Sequence, residues 1–264
     1  MTPKTAHSLR TQMLQDGFCI IPDILSLDFI NELRRETDRL NATMEHHPDA
    51  KYQGTTLGIK FEDNTIMQRL GDWLPARRAL EELGFGDFHH LGSLFVLTKE
   101  PQAPALYWHQ DWMRWNDPLS CTPWPQTMFL SYYLEETRVE NGCLRIIPGS
   151  HLKRIPLHDQ LVTAHEQGAR FIEENHPVMF SDDPNQVNVY SNPGDLVLAD
   201  ARVLHAAYKN RTNESRNLLL IWHQRPETVP DYWEDPVPAA IRNRDPDATY
   251  EGTRVPGEFL VSIT

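Results

Sequence analysis

The sequence is short of cysteine, short of cations and without a long apolar run. Its three cysteines, Cys19, Cys121 and Cys143, are an odd number, and no two stand at metal-type spacing. That excludes a disulfide framework and suits reduced thiols in a cytoplasmic protein. Lysine and arginine total 25 against 37 aspartates and glutamates, a formal charge of -12. Phosphate backbones repel such a surface, so nucleic acid is not an expected partner, although a single cleft can still be basic. No stretch approaches the ~18 apolar residues of a membrane helix, so no membrane partner is expected. Residues 1–16 also lack the apolar centre of a signal peptide. Repeats, low-complexity tracts and Gly/Ser linkers are missing too. What is present, 264 residues with 40% hydrophobic and 23% charged side chains, is enough for one domain with a substantial core.

Two patterns divide the chain. Residues 5–15 read as a short helix stopped by Gly17, and 18–21 as an edge strand ending at Pro22. Ser26 can cap a helix whose apolar stripe is Leu27, Ile30, Leu33, Leu40 and Met44. Residues 72–83 form another predicted helix, ended by Gly84. From Gly92 onward, short runs rich in Leu, Val, Ile and aromatics predict strands at 93–98, 105–112, 127–134, 143–147, 187–190, 195–199 and 216–223. Asn141-Gly142 predicts a hairpin, Asn192-Pro193-Gly194-Asp195 a turn, and 158–168 an inserted helix. Helices first and then at least seven short strands predict a mainly β fold with flanking helices, an antiparallel sandwich or barrel. The expected organisation is one domain over 1–264: a helical part to about 90, a β core over about 91–225, and a tail over 226–264.

One group of residues suggests chemistry. Strand side chains two apart share a face, so His109 and Asp111 can grip one metal ion, or can be a structural pair. A second His-x-Asp, His47-Pro48-Asp49, lies in a polar stretch and reads as a surface turn. His205 follows the apolar strand Leu196-Val197-Leu198, and Arg216 opens another, Leu218 to Trp222. If the chain reverses near Thr212, His205 and Arg216 lie on neighbouring strands beside one cavity. Two imidazoles and a carboxylate on one face are the donor set of non-haem iron oxygenases. An arginine fork matches a carboxylate such as that of 2-oxoglutarate. The alternatives are a backbone-bonded core imidazole for His205, and pairing of Arg216 with Glu214 or Asp195.

With these residues in view, the chain resembles the phytanoyl-CoA dioxygenase family of iron(II)/2-oxoglutarate oxygenases. The matching stretches are Trp108-His109-Gln110-Asp111 and Asn141-Gly142-Cys143-Leu144-Arg145-Ile146-Ile147-Pro148-Gly149-Ser150-His151. Pro193-Gly194-Asp195-Leu196-Val197-Leu198 follows, leading to His205 and, eleven residues on, Arg216. Asp16-Gly17-Phe18 to Pro22 also looks like the family's opening, so the likeness runs from Asp16 to about Trp222. It implies a double-stranded β-helix, or jelly-roll, core of the cupin-like kind. It implies Fe(II) on His109, Asp111 and His205, and 2-oxoglutarate anchored by Arg216 with O2 as the other cosubstrate. Gln110, Thr127 and Ser131 are candidate helpers for 2-oxoglutarate. The expected reaction is hydroxylation of a small molecule with release of succinate and CO2. A catalytically silent jelly-roll binding protein and a cupin-type enzyme of another metal are the competing expectations. Substrate and oligomeric state are not legible.

Other residues carry weaker expectations. Trp108, Trp112, Trp115 and Trp124 are expected to pack in the core and rim rather than form an aromatic cage. Arg114 is expected to be a solvated charge, His89 and His90 surface residues, and His151 a loop-shaping residue. Nothing distinguishes His223, and 227–238 is expected to be a plain surface tail.

Overall fold

The computed structural model describes residues 1–44, 53–161 and 176–253. The first helix, α1 (Pro3–Asp16), ends where Gly17 takes the left-handed conformation, φ 84°, and releases the chain into β1 (Phe18–Ile21). Ser26 caps α2 (Leu27–Thr43) by accepting the Phe29 N–H at 3.3 Å. Between α2 and the predicted third helix the chain does not stay helical. It forms β2 (Thr55–Lys60), then α3 (Thr65–Gly71) and α4 (Leu74–Leu83). Buried residues alternate with more exposed ones along Thr55–Lys60, as in a strand with one face on the core.

The remaining strands are β3 (His89–His90), β4 (Ser93–Lys99), β5 (Leu106–His109), β6 (Thr127–Tyr133) and β7 (Leu144–Ile146). They continue with β8 (Val187–Val189), β9 (Leu196–Asp200), β10 (His205–Ala207) and β11 (Arg216–Gln224), before a short α5 (Ala239–Arg242). They build two antiparallel sheets. The larger runs β1-β9-β6-β11-β4-β2 with β3 added to β11, and the smaller runs β5-β10-β7-β8. This is the expected jelly roll.

Side-chain alternation gives the larger sheet two jobs. Met128, Leu130 and Tyr132 of β6 and Leu219 and Ile221 of β11 face a core shared with the helices. Their neighbours Phe129, Tyr133 and Leu218 turn inward, toward Leu144 and Ile146 of the smaller sheet. The interior between the sheets is therefore lined by every second residue of both.

Three expectations need correction. Asn141-Gly142 does turn the chain, with Gly142 at φ 83°, but β6 and β7 lie in different sheets, so the turn crosses between layers and is no hairpin. His205 and Arg216 lie on β10 and β11, in facing sheets and not on paired strands. Of the predicted helix at 158–168, Pro156–Gln160 forms one 3-10 turn, and 162–175 lie outside the described residues, as does His47-Pro48-Asp49.

Candidate metal centre

β5 and β10 pair with His109 opposite His205, so two imidazoles project from adjacent strands into the interior. Their ring centroids are 4.1 Å apart. The register slips just beyond: Ala207 pairs with Leu106, so three steps on β5 match two on β10. This is a β-bulge, a device that re-aims side chains. Each ring is held from behind by the carbonyl two residues earlier: His109 Nδ1 to Tyr107 O at 2.9 Å, and His205 Nδ1 to Val203 O at 3.1 Å. With Nδ1–H donated to these carbonyls, each Nε2 keeps its lone pair for the cavity.

Asp111 arrives differently from the simple i, i+2 expectation. The strand ends at His109, and the backbone N–H groups of Asp111 and Trp112 both donate to Ala201 O at 2.9 Å. That clamp turns the carboxylate toward the histidines. Asp111 Oδ1 lies 3.6 Å from His109 Nε2, and Oδ2 lies 3.3 Å from His205 Nε2. One ligand atom from each of the three residues falls within 4.8 Å of the others, and among the described residues this is the group of three or more so arranged. Two nitrogens and one carboxylate oxygen suit ferrous iron, and three protein donors leave the rest of its coordination sphere open.

Ala201 sits in a turn that a buried ion pair fixes. Asp200 and Arg202 are both buried, with Arg202 Nη2 to Asp200 Oδ2 at 2.6 Å and Nε to Oδ1 at 3.0 Å. Burial by itself would raise the Asp200 pKa, but the Arg202 charge and hydrogen bonds hold it below its ordinary value. The remaining guanidinium donors satisfy the carbonyls of Ser120, Thr122 and Trp124, at 3.0, 2.7 and 3.1 Å. Arg202 thus ties the β5–β6 connection to the turn that positions Asp111. Sequence reasoning missed it. An Asp and an Arg two apart inside an apolar stretch were the available signal.

Arg216 begins β11 and is buried. Its guanidinium carbon lies 5.0 Å from the centre of the Tyr133 ring. Its Nε has no hydrogen-bond partner, and no carboxylate forms a salt bridge with it among the described residues. Glu214 is exposed, and Asp195 is occupied by the N–H groups of Asp23 and Asn192. Neither proposed internal partner holds. A buried guanidinium left this way fits a site for a bound carboxylate.

Arg216, His109, Asp111 and His205 line one cavity of about 770 Å³. Thr127 and Ser131 line it too, on the inward face of β6. Gln110 does not. It faces the other way, with its amide nitrogen donating to Arg202 O and lying 3.2 Å from His158 Nε2. The expected cosubstrate role for Gln110 is therefore replaced by a structural one. Strand alternation sends it away from the face that carries its two neighbours.

The tryptophans behave as packing residues. Trp108, Trp115 and Trp124 are buried outside the cavity, and Trp112 alone of the four reaches its wall. Arg114 is paired with Glu227 at 2.8 Å and stacks 5.2 Å from the Trp112 ring. Arg244 joins Glu227 at 2.9 Å and Asp117 at 2.7 Å, so the segment after β11 is bound to the cavity's edge and is no plain tail. His151, far from the triad in its contacts, bonds Leu14 O at 3.1 Å and locks the loop that Gly17 touches.

Comparison with known proteins agrees with this geometry. The family model described as Phytanoyl-CoA dioxygenase (PhyH) matches residues 13–218. An ectoine dioxygenase of Nocardia farcinica is 23% identical over 239 residues, covering 85% of this chain and 80% of that protein. Phytanoyl-CoA dioxygenase 1 of Oryza sativa subsp. japonica is 33% identical over 131 residues, 48% of this chain and 41% of that one. Among solved structures, the epimerase SnoN in complex with Fe3+, alpha ketoglutarate and nogalamycin RO superposes with a TM-score of 0.63. It is 23% identical, and the match covers 98% of both chains. No helix among the described residues is long and apolar enough to cross a membrane. The chain belongs to the phytanoyl-CoA dioxygenase family, and is a non-haem iron enzyme that uses 2-oxoglutarate and O2.

Proposed function

We propose that the protein holds Fe(II) through His109, Asp111 and His205, anchors 2-oxoglutarate through Arg216, and hydroxylates an unactivated C–H bond of a small molecule with release of succinate and CO2. The observation that carries this is the pairing, in one cavity, of two Nε2 lone pairs facing a carboxylate with a buried guanidinium that has no carboxylate of its own. Iron, when bound, supplies the O2 activation and one-electron chemistry that side chains lack.

The chain's own residues do the rest. Tyr107 O and Val203 O hold the two imidazoles in the tautomer that presents Nε2. The Ala201 carbonyl fixes the backbone of Asp111, so its carboxylate needs little ordering when a cation arrives. Arg216 can receive the distal carboxylate of the cosubstrate through two parallel N–H bonds, with Tyr133 limiting the swing of the guanidinium. Ser131 shares the inward β6 face with Tyr133, on the Arg216 side of Phe129, and is the hydrogen-bond partner for the cosubstrate, whereas Thr127, opposite Gln224, lies on the far side of Phe129. The apolar walls around them keep water from the reacting centre. Cys19, Cys121 and Cys143 are buried as thiols rather than disulfides, which supports a place in the reducing cytoplasm.

Anaerobic addition of Fe(II) and 2-oxoglutarate should produce a weak visible charge-transfer band, and O2 should then yield succinate. His109→Ala should abolish both. A variant that keeps the band and the succinate would overturn the ligand set.

A further inference from the structure

We propose that the substrate is an uncharged, predominantly apolar molecule containing at least one ring, held between the metal centre and an apolar rim. This inference rests on the iron-site assignment above and deepens it.

The layers of the cavity follow from strand register. Along β11 the inward residues are Arg216, Leu218, Leu220 and Trp222, and β6 sets Tyr133, Ser131 and Phe129 beside the last three. Phe129 packs 5.0 Å from His205 and 5.7 Å from Trp222. His205, and with it the triad that would hold the metal, therefore lies at the Phe129–Trp222 level, with Arg216 to one side. The space for substrate lies on the other side, where Trp112 and Trp222 form walls beside the uncharged Thr127 and Gln224. Those flat rings suit a flat or cyclic guest better than a flexible chain.

The rim repeats this chemistry. Leu91, Phe95 and Met113 are 56%, 37% and 50% exposed, unusual for large apolar side chains, and all three line the same cavity. Apolar surface of this kind at a cavity mouth marks a site that apolar matter covers.

The charges in the cavity are already committed. Asp111 faces the imidazoles, and Arg216 lies at the far end. Lys99, opposite Arg216 in the β4–β11 register, belongs to that same far end and donates to Pro104 O at 2.5 Å, and Arg114 is paired with Glu227. No other charged side chain lines the cavity among the described residues. A zwitterion would lose its hydration here without a counter-charge, and the phosphates of a coenzyme A thioester would find no cation cluster at the rim. The volume, about 770 Å³, is ample for the small dicarboxylate and a cyclic molecule together.

The test uses full-length protein and four probes: 2-naphthol, progesterone, ectoine and palmitoyl-CoA. Binding is read by quenching of tryptophan fluorescence, with and without Fe(II) and 2-oxoglutarate. The charge-transfer band is recorded on the same samples, so failure of the iron assignment shows separately from failure of the substrate class. At least one of the two neutral ring probes should bind, at least tenfold more tightly than ectoine or palmitoyl-CoA. Met113→Asp, at an exposed rim position that folding tolerates, should weaken that binding at least tenfold, with Tm reporting that the variant is folded. Tighter binding of ectoine or palmitoyl-CoA, no binding of either ring probe, or an unchanged affinity in Met113→Asp would overturn the proposal.

Discussion

At the scale of single residues, the site depends on groups whose alternatives are costly. Arg216 is the sharpest case, because it is buried with only the Tyr133 side chain and the charge of nearby Glu135 to offset it and no carboxylate in a salt bridge with it, which leaves room for an anionic ligand. Arg216→Ala should raise the KM for 2-oxoglutarate roughly ten- to a hundredfold, the worth of a charge-assisted hydrogen-bond pair at about 1.5–3 kcal/mol. It should leave Fe(II) uptake, followed by equilibrium dialysis, within a factor of two or three. An unchanged KM would remove the anchor role. That His109, Asp111, His205 and Arg216 meet at one cavity was legible in the sequence only through the family resemblance, since residue types and spacing alone left a structural pair, a core imidazole and an internal ion pair open. Gln110 was misread, since proximity in sequence to two inward residues places a strand residue on the opposite face. Lys99 and the rim residues Leu91, Phe95 and Met113 left no sequence signal, because only the curvature of the sheets brings them to one cavity.

At the scale of elements, strand alternation and turn residues were legible from Gly92 on, and every strand predicted there exists with its ends shifted by up to three residues. The losses have a physical pattern. β3 is two residues long, too short for periodicity to register, and β2 follows a polar stretch that hid its alternation. Which strands share a sheet was not legible either, since hairpin chemistry at Asn141-Gly142 specifies a turn and not the partner beyond it. The Asp200–Arg202 pair shows what holds these short elements in place. Arg202→Met should remove about 3–5 kcal/mol of stability, because it leaves a buried carboxylate and three carbonyls without a cation. Since Ala201 O anchors Asp111, Fe(II) affinity should fall as well. Urea unfolding and iron titration together check this, and a fall in stability without any loss of iron affinity would separate the turn from the metal site. Gly142→Ala is a second test of the same architecture. At φ 83° its new methyl would meet Lys99 Cδ at 2.5 Å and Tyr208 O at 2.6 Å, so a lowered Tm is expected.

At the scale of the whole molecule, three buried imidazoles outside the triad set an acid limit. Burial pushes His151, His158 and His223 down to about 4. In the unfolded chain the same groups titrate near 6.5. Between these values the unfolded state binds more protons, so stability is full above about pH 6.5 and falls as the pH drops toward 4. Unfolding free energies from urea titrations at pH 7.5 and 5 should differ by a loss of roughly a few kcal/mol. Replacing His223 with Gln should shrink that difference, and an equal pH response in the variant would exclude its share.

The segment after β11 has one further consequence. Its anchor, Arg244 on buried Asp117, is shielded from solvent, whereas Arg114 and Glu227 at the cavity edge are 42% and 40% exposed. Dissolved ions weaken exposed pairs first, over a Debye length of about 8 Å at physiological strength. Raised ionic strength should therefore loosen the doorway while its hinge stays fastened, so that salt sets how quickly guests come and go before it touches the fold.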